Sequence, residues 1–96
     1  MDATTLTNLL TEQDFRDLFG GKVAYAAGKP CIQKAVYNEY YTDSYGEGVE
    51  GDAWVVFEVD GVAFKKFGYV DSYGYSYWDG ALTEVKATTK TVEVWE

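Results

Sequence analysis

The sequence predicts an α+β fold in which an N-terminal amphipathic helix packs on an antiparallel β-sheet of four to five strands, arranged as a meander. Three observations support this. Apolar residues recur at helical spacing near the N-terminus, and from residue 22 onward they alternate as in strands. A single Asp-Gly pair between two such runs is a strong signal for a tight hairpin turn. We expect one domain over residues 1–96.

The helix is predicted over residues 6–19 and is best defined in its second half. Thr11 is a candidate N-cap with Asp14 three positions later, and Leu10 can pack on Phe15 as a hydrophobic staple. The apolar face of this half carries Phe15, Leu18 and Phe19. Gly20-Gly21 ends the helix. Such a helix is expected to cover one face of a sheet.

Strands are predicted over residues 22–27, 32–41, 53–59, 62–70, 82–86 and 91–96. Gly28-Lys29-Pro30 should break the chain after the first of them. Within residues 53–59, Ala53, Val55, Phe57 and Val59 alternate with Trp54, Val56 and Glu58, so the two sets should lie on opposite faces.

Two features concern the strand at residues 62–70. Asp60-Gly61, just before it, fits a type I′ turn because both positions of that turn need positive φ. Phe64 and Phe67 are three residues apart, with Lys65-Lys66 between them. This spacing breaks the alternation and predicts a β-bulge.

A six-residue phrase occurs twice in the chain. Residues 41–46 (YTDSYG) return as residues 69–74 (YVDSYG), with five of six identical at an offset of 28. If the strands form a meander, both copies lie at the sheet end opposite Asp60-Gly61, since sequential strands usually pair. Strands about 4.8 Å apart would bring the two loops to within roughly 10 Å of each other.

These loops are rich in tyrosine and acid, and no lysine or arginine interrupts them. Tyrosine and tryptophan give large contacts at low entropy cost, and carboxylates pair with arginine. We therefore predict a binding surface for a basic partner, made of Asp43, Tyr45, Glu47, Glu50, Asp52, Asp71, Tyr73, Tyr75, Tyr77, Trp78 and Asp79. The alternative is that Asp, Ser and Gly only form turns, with the tyrosines packing as strand residues or the phrase reflecting a duplicated hairpin.

Composition excludes several other functions. Cys31 is the only cysteine and histidine is absent, so an internal disulfide and the usual zinc ligand sets are ruled out. No nucleophile has a histidine to activate it, and no EF-hand or phosphate-binding loop is present. A pair of carboxylates could serve a glycosidase only within a cleft that raises one pKa. We expect a protein that is not an enzyme, with no metal and no cofactor.

Charge narrows the choice of partners. The net charge of −8 opposes direct binding to nucleic acid or to an anionic membrane. Apolar runs are only a few residues long, far short of the roughly 20 that span a bilayer. Together with the single cysteine, these features predict a soluble cytoplasmic protein that is a monomer or a weak homodimer.

In size, acidity, lack of cysteine chemistry and aromatic content, the chain resembles the small phage-encoded inhibitors of bacterial defence nucleases, the anti-CRISPR and anti-restriction proteins. The resemblance is one of general character and has no diagnostic motif. It implies a protein acting in the host bacterial cytoplasm as a DNA mimic. Its carboxylates would stand where phosphates bind, on a basic surface of a nucleic-acid-binding protein such as a CRISPR effector or a restriction enzyme.

Two other functions stay open at this point. A small virion or accessory protein could use the same edge, or an exposed strand, for assembly. A glycan- or ligand-binding domain could use Trp54, Trp78 or Trp95 as a stacking platform.

Overall fold

The computed structural model describes residues 2–42 and 44–86. It contains helices α1 (Ala3–Leu9) and α2 (Glu12–Phe19), followed by strands β1 (Ala24–Ala26), β2 (Lys29–Asn38), β3 (Tyr41–Thr42), β4 (Gly48–Val49), β5 (Gly51–Val59), β6 (Val62–Val70), β7 (Ser76–Tyr77) and β8 (Leu82–Val85). The strand pairs seen in these ranges are all antiparallel. The predicted α+β class is therefore confirmed, although the described residues contain two helices and a main sheet of six strands. The strand predicted at residues 91–96 lies outside the described residues.

The predicted single helix is wrong at residues 10 and 11, where the chain is extended. Leu10 has φ −97° and ψ 135°, and Thr11 has φ −90° and ψ 168°. The reason is the predicted cap itself, because an N-cap residue has non-helical dihedrals. Thr11 and Asp14 form the complete capping box of α2. Helix α1 has its own cap, in which Asp2 Oδ1 accepts a hydrogen bond from the Thr5 amide at 2.8 Å.

The main sheet has the order β1-β2-β5-β6-β7, and β8 pairs with β6 beside β7. Strands β5 and β6 pair without a break from Val59 opposite Val62 to Gly51 opposite Val70. Their connection is Asp60-Gly61, with φ of 55° and 76°. Both values are positive, which confirms the predicted type I′ turn.

The first hairpin of the sheet turns earlier than predicted. Ala27 and Gly28 form its two-residue turn with φ of 50° and 79°, and β2 already begins at Lys29. Pro30 is thus a strand residue opposite Tyr25 and not a breaker. In an antiparallel hairpin, residue pairs alternate between hydrogen-bonded and non-hydrogen-bonded positions, starting with a hydrogen-bonded pair next to a two-residue turn. Pro30 is in the second pair from the turn, which is not hydrogen-bonded, so no backbone N–H is needed there.

The bulge predicted in β6 is wrong. Phe64 pairs with Phe57 and Phe67 with Trp54 in one unbroken register, whereas the irregularity lies in β2 between Gln33 and Ala35. Strict alternation then places Phe64 in the core and leaves Phe67 exposed on the other face.

Alternation also turns Lys66 inward, towards the helices. Its ammonium donates to the Gly80 carbonyl oxygen at 2.6 Å and lies 4.8 Å from the centre of the Phe15 ring. Burial lowers the pKa of Lys66 below its ordinary value, against the opposing effect of Asp79. A charged residue that suggested an irregular, solvent-facing strand is therefore part of the packed interior.

The core lies between the two helices and one face of the sheet. It contains Leu6, Leu10, Phe15, Leu18, Ala24, Ala26, Cys31, Ala53, Val55, Phe57, Val59, Phe64, Val70 and Trp78. A smaller cluster of Val56, Ala63 and Val85 lies on the opposite face of the sheet. The predicted division of residues 53–59 between two faces is thus confirmed. Within the described ranges no helix is long and apolar enough to cross a membrane.

Candidate protein-binding surface

The two copies of the repeated phrase fold into the same kind of hairpin. In the first hairpin (residues 41–49), Tyr41 pairs with Val49 and Thr42 with Gly48. In the second hairpin (residues 69–77), Tyr69 pairs with Tyr77 and Val70 with Ser76, which are the same pairings moved by 28 positions. Each hairpin closes over a five-residue loop, at residues 43–47 or 71–75. The repeat is therefore a repeated structural unit.

The turn itself accounts for the aspartate and the glycine of the phrase. In the second hairpin, Asp71 Oδ1 accepts hydrogen bonds from the amides of Tyr73 at 2.9 Å and Tyr75 at 3.1 Å. Gly74 has φ of 86°, and its counterpart Gly46 has φ of 81°, a conformation that favours glycine. These residues would be needed in this loop whatever the protein binds.

Asp71, which the sequence assigns to partner binding, is thus engaged within its own loop. Partial desolvation opposes its ionisation, but hydrogen bonds from the Tyr77 hydroxyl and the loop amides outweigh that effect and lower the pKa of Asp71 below its ordinary value. The carboxylate is ionised at neutral pH. Its charge contributes to the surface, while its oxygens hold the turn.

The geometry of the turn does not explain the tyrosine at the third position of each loop. Tyr45 is 90% exposed and Tyr73 is 84% exposed, and the turn geometry does not need an aromatic ring at either place. Tyr41, Tyr75 and Tyr77 are also exposed. Tyr45 and Tyr73 therefore expose aromatic rings that the geometry of their turns does not require.

The two hairpins touch each other, as the predicted meander requires. A Cβ atom on Gly48 would lie 2.0 Å from the carbonyl oxygen of Ser72, so the two backbones are in direct contact. The ring of Tyr40 is the second link. It lies 2.8 Å from the Cβ position of Gly48 and 3.7 Å from that of Gly74. Sequence reasoning missed Tyr40, which lies one residue before the repeated phrase.

A cavity of about 430 Å³ lies between the two hairpins and is open to solvent. It is lined by Gly46, Glu47, Gly48, Ser72 and Tyr73. Both loops contribute to it, so it exists only because they are neighbours. We call the two hairpins together with this cavity the tyrosine edge.

Tyrosine hydroxyls donate hydrogen bonds to carboxylates along and beside this edge. Tyr69 donates to Glu50, and Tyr77 donates to Asp71 at 2.8 Å. The hydrogen bond to Glu50 raises the pKa of Tyr69 to about 12, and the bond to Asp71 raises the pKa of Tyr77. These hydrogen bonds hold the two carboxylates in fixed positions beside the second hairpin.

A third pair lies where β2 ends. Tyr37 donates to Glu39 at 2.6 Å, and this hydrogen bond lowers the pKa of Glu39 and raises that of Tyr37. The other oxygen of Glu39 accepts from the Asp52 amide at 3.1 Å. Glu39 was not among the predicted site residues, although it precedes the repeated phrase by only two positions.

Helix α2 holds the second hairpin in place. The Arg16 guanidinium donates to the carbonyl oxygen of Ser76 from Nη2 at 2.8 Å and from Nε at 3.3 Å. Its neighbour Glu12 accepts from the Trp78 amide at 3.4 Å, and Glu12 and Arg16 form an ion pair at 2.9 Å. The sequence contains no signal for these contacts, which join residues about 60 positions apart.

Trp78 does not belong to the surface. It is only 3% exposed and packs on Phe19, with ring centres 4.9 Å apart. Gly68 makes room for it, since a Cβ there would lie 2.5 Å from the indole ring. The prediction that Trp78 contacts a partner is corrected, and the same burial removes it as a stacking platform for glycans. Strand alternation after residue 75 turns Ser76 and Trp78 inward and Tyr77 outward.

The other acidic residues of the prediction are placed as follows. Glu47, Glu50, Asp52 and Asp79 are exposed, and Asp43 lies outside the described residues. Of the tryptophans considered for glycan stacking, Trp54 is half-buried with Tyr37 and Lys65 against its ring, and Trp95 is not described. In the described part of the chain, no group of three or more acidic or cysteine side chains is arranged to hold a metal ion.

Comparison of the chain with protein-family models, with curated proteins and with solved structures finds no match.

Proposed function

We propose that this protein is a non-enzymatic inhibitor that docks its tyrosine edge on a Lys/Arg-rich surface of a nucleic-acid-binding protein. A phage-encoded inhibitor of a host defence nuclease, of the anti-CRISPR or anti-restriction kind, fits this description. The observation that carries the proposal is the exposure of Tyr45 and Tyr73 at the tips of two touching hairpins whose turns do not need them.

The charge around these rings selects the kind of partner. Glu47 is exposed in the first loop, Glu50 and Asp52 are exposed just after the first hairpin in the chain, and Asp79 is exposed two residues after the second. Residues 35–64 and 67–85 contain no lysine or arginine, so no basic residue from the hairpins themselves neutralises them. Carboxylates within about a Debye length, roughly 8 Å, reinforce each other's potential. A basic protein surface is the natural complement.

Inhibition follows from this choice of surface. A protein that binds DNA or RNA uses lysine and arginine to contact phosphates, and these are the groups that tyrosines and carboxylates contact well. The inhibitor and the nucleic acid would then compete for the same basic groups. The Tyr–carboxylate hydrogen bonds support such mimicry because they fix negative charges at set positions before the partner arrives.

The test begins with affinity capture of partners from a bacterial lysate, followed by elution with salt and identification of the eluted proteins. Binding of the purified partner is then measured by calorimetry across a salt series, with and without its nucleic acid. We expect affinity to fall steeply with salt and nucleic acid to displace the inhibitor. Affinity that does not change with salt would exclude the electrostatic mechanism.

Charge-neutralising variants locate the surface. Asp52→Asn and Asp79→Asn should each weaken binding, whereas Glu84→Gln, which removes an exposed charge on β8, is the matched control. Equal losses in all three variants would indicate that only net charge matters and that the tyrosine edge is not the binding surface.

A further inference from the structure

The cavity between the two hairpins has a chemistry that selects one kind of side chain. We infer that it receives an arginine side chain of the basic partner. This inference rests on the proposed function and names the group that enters the tyrosine edge. A volume of about 430 Å³, open on one side, accommodates a guanidinium group and part of its aliphatic stem.

The lining supplies groups that a guanidinium binds. Glu47 provides a carboxylate, Ser72 a hydroxyl and a carbonyl oxygen, and Tyr73 is the aromatic residue of the set. A carboxylate has about four acceptor sites, so Glu47 can accept from an incoming guanidinium in addition to a partner within the chain. Gly46 and Gly48 have no side chains to fill the space, which leaves it open to a ligand.

An anion would not fit this lining. None of the described residues that line the cavity is a lysine or an arginine. The Tyr73 amide, which could have bound an anion, already donates to Asp71 Oδ1 at 2.9 Å, and the Gly74 amide donates to the Asp71 carbonyl oxygen at 3.0 Å. Asp71 thus occupies two amide donors of the second loop, and its carboxylate adds negative charge next to Ser72 in the chain.

Arginine fits better than lysine for geometric reasons. Its planar guanidinium can donate to a carboxylate through two parallel N–H groups and stack on an aromatic ring at the same time. The cavity offers acceptors from both hairpins, on Glu47 in one and Ser72 in the other. The several N–H donors of a guanidinium can reach acceptors on both hairpins at once, whereas the ammonium of lysine is a compact point charge.

The experiment uses small probes with the whole protein. Amide resonances are followed during titration with N-acetyl-arginine amide, its lysine counterpart and its citrulline counterpart, which has nearly the shape of arginine but no charge. We expect saturable shifts of the cavity residues with arginine, weaker shifts with lysine and none with citrulline. Glu47→Gln should weaken the arginine affinity about threefold to tenfold, the scale of the net contribution of one hydrogen bond at an exposed site. Glu84→Gln should leave it unchanged.

The outcomes separate this inference from the proposed function. Equal shifts with arginine and citrulline would overturn the inference, as would arginine shifts that spread over Asp52 and Asp79 but leave the cavity residues unaffected. If partner binding still falls with salt in either case, the proposed function stands without the arginine site. Salt-independent partner binding would instead remove the proposed function, whatever the cavity binds.

Discussion

Gly48 of the first hairpin lies directly against the carbonyl oxygen of Ser72 in the second, leaving no room for a side chain: a Cβ on Gly48 would lie 2.0 Å from that oxygen. The Tyr40 ring closes the same position from another side, at 2.8 Å. The φ of Gly48 is not in the left-handed region, so the requirement for glycine at this position comes from these two contacts. Contact between the hairpins therefore depends on the absence of one methyl group.

Gly48→Ala should push the two hairpins apart. The clash is with backbone, so relief requires a shift of one hairpin, and overpacking of this kind costs about 1–3 kcal/mol. We expect a lower urea midpoint, loss of the cavity and weaker binding of a basic partner. Gly20→Ala is the control, because a Cβ there meets its nearest atoms at an ordinary 3.6 Å. Unchanged stability and binding in Gly48→Ala would contradict the direct contact.

The tip tyrosines and Trp78 should respond to truncation in opposite ways. Tyr45→Ala and Tyr73→Ala remove exposed rings and should change stability by less than about 0.5 kcal/mol, yet weaken partner binding by about 1 kcal/mol or more each. Trp78→Ala empties a core position and should cost about 3–5 kcal/mol of stability. Thermal denaturation and calorimetric binding on the same samples measure both quantities. A Trp78→Ala variant of native stability would show that the indole is not a core side chain.

Tyr69 should ionise later than the exposed tyrosines. Its hydrogen bond to Glu50 raises the pKa of Tyr69 to about 12, whereas unfolded tyrosine titrates near 10. Because the folded pKa is the higher one, the contribution to stability is complete below about pH 10 and is lost as pH rises through the folded value. Tyrosinate absorbance during a pH titration should include a late step from Tyr69, in addition to the raised titrations of Tyr37 and Tyr77. Tyr69→Phe removes that step, and Glu50→Gln should move it to lower pH.

The helical region shows what local signals can and cannot predict. Thr11 and Asp14 predicted the capping box of α2 correctly, since capping involves only four consecutive residues. The same cap excludes a helix running through residue 11, but apolar residues before it suggested one continuous helix. The Asp2 cap of α1 was missed because the apolar spacing was read from Leu6 onward, three residues after the helix begins.

The strands show that prediction from sequence succeeds for local features and fails where a contact joins residues that are distant in the chain. Alternation in residues 53–59 predicted both faces of β5, and Asp60-Gly61 predicted its turn, because each depends on neighbouring residues. Lys66 misled the prediction for β6, since its ammonium donates to the carbonyl oxygen of Gly80, 14 positions away in the chain. The sequence does not reveal such a partner, so a lysine at an inward position breaks the apolar pattern from which a strand is predicted.

The neighbouring position of the two loops was predicted, but the surroundings of individual residues in them were predicted only in part. The repeat at an offset of 28 placed both loops correctly on one edge, because pairing order follows chain order in a meander. Asp71 and Trp78 were assigned to binding by composition, yet one holds its turn and the other fills the core. Tyr40 and Arg16 were missed because their roles depend on spatial neighbours.

The attachment of Arg16 to Ser76 makes the two hairpins unequal as sites for engineering. Helix α2 fixes the second hairpin through that guanidinium and through Glu12, so new residues in loop 43–47 leave this attachment intact. Loop 43–47 is therefore the better place for a randomised library. Specificity could be reprogrammed there, one hairpin at a time, on a scaffold whose other hairpin serves as a fixed reference.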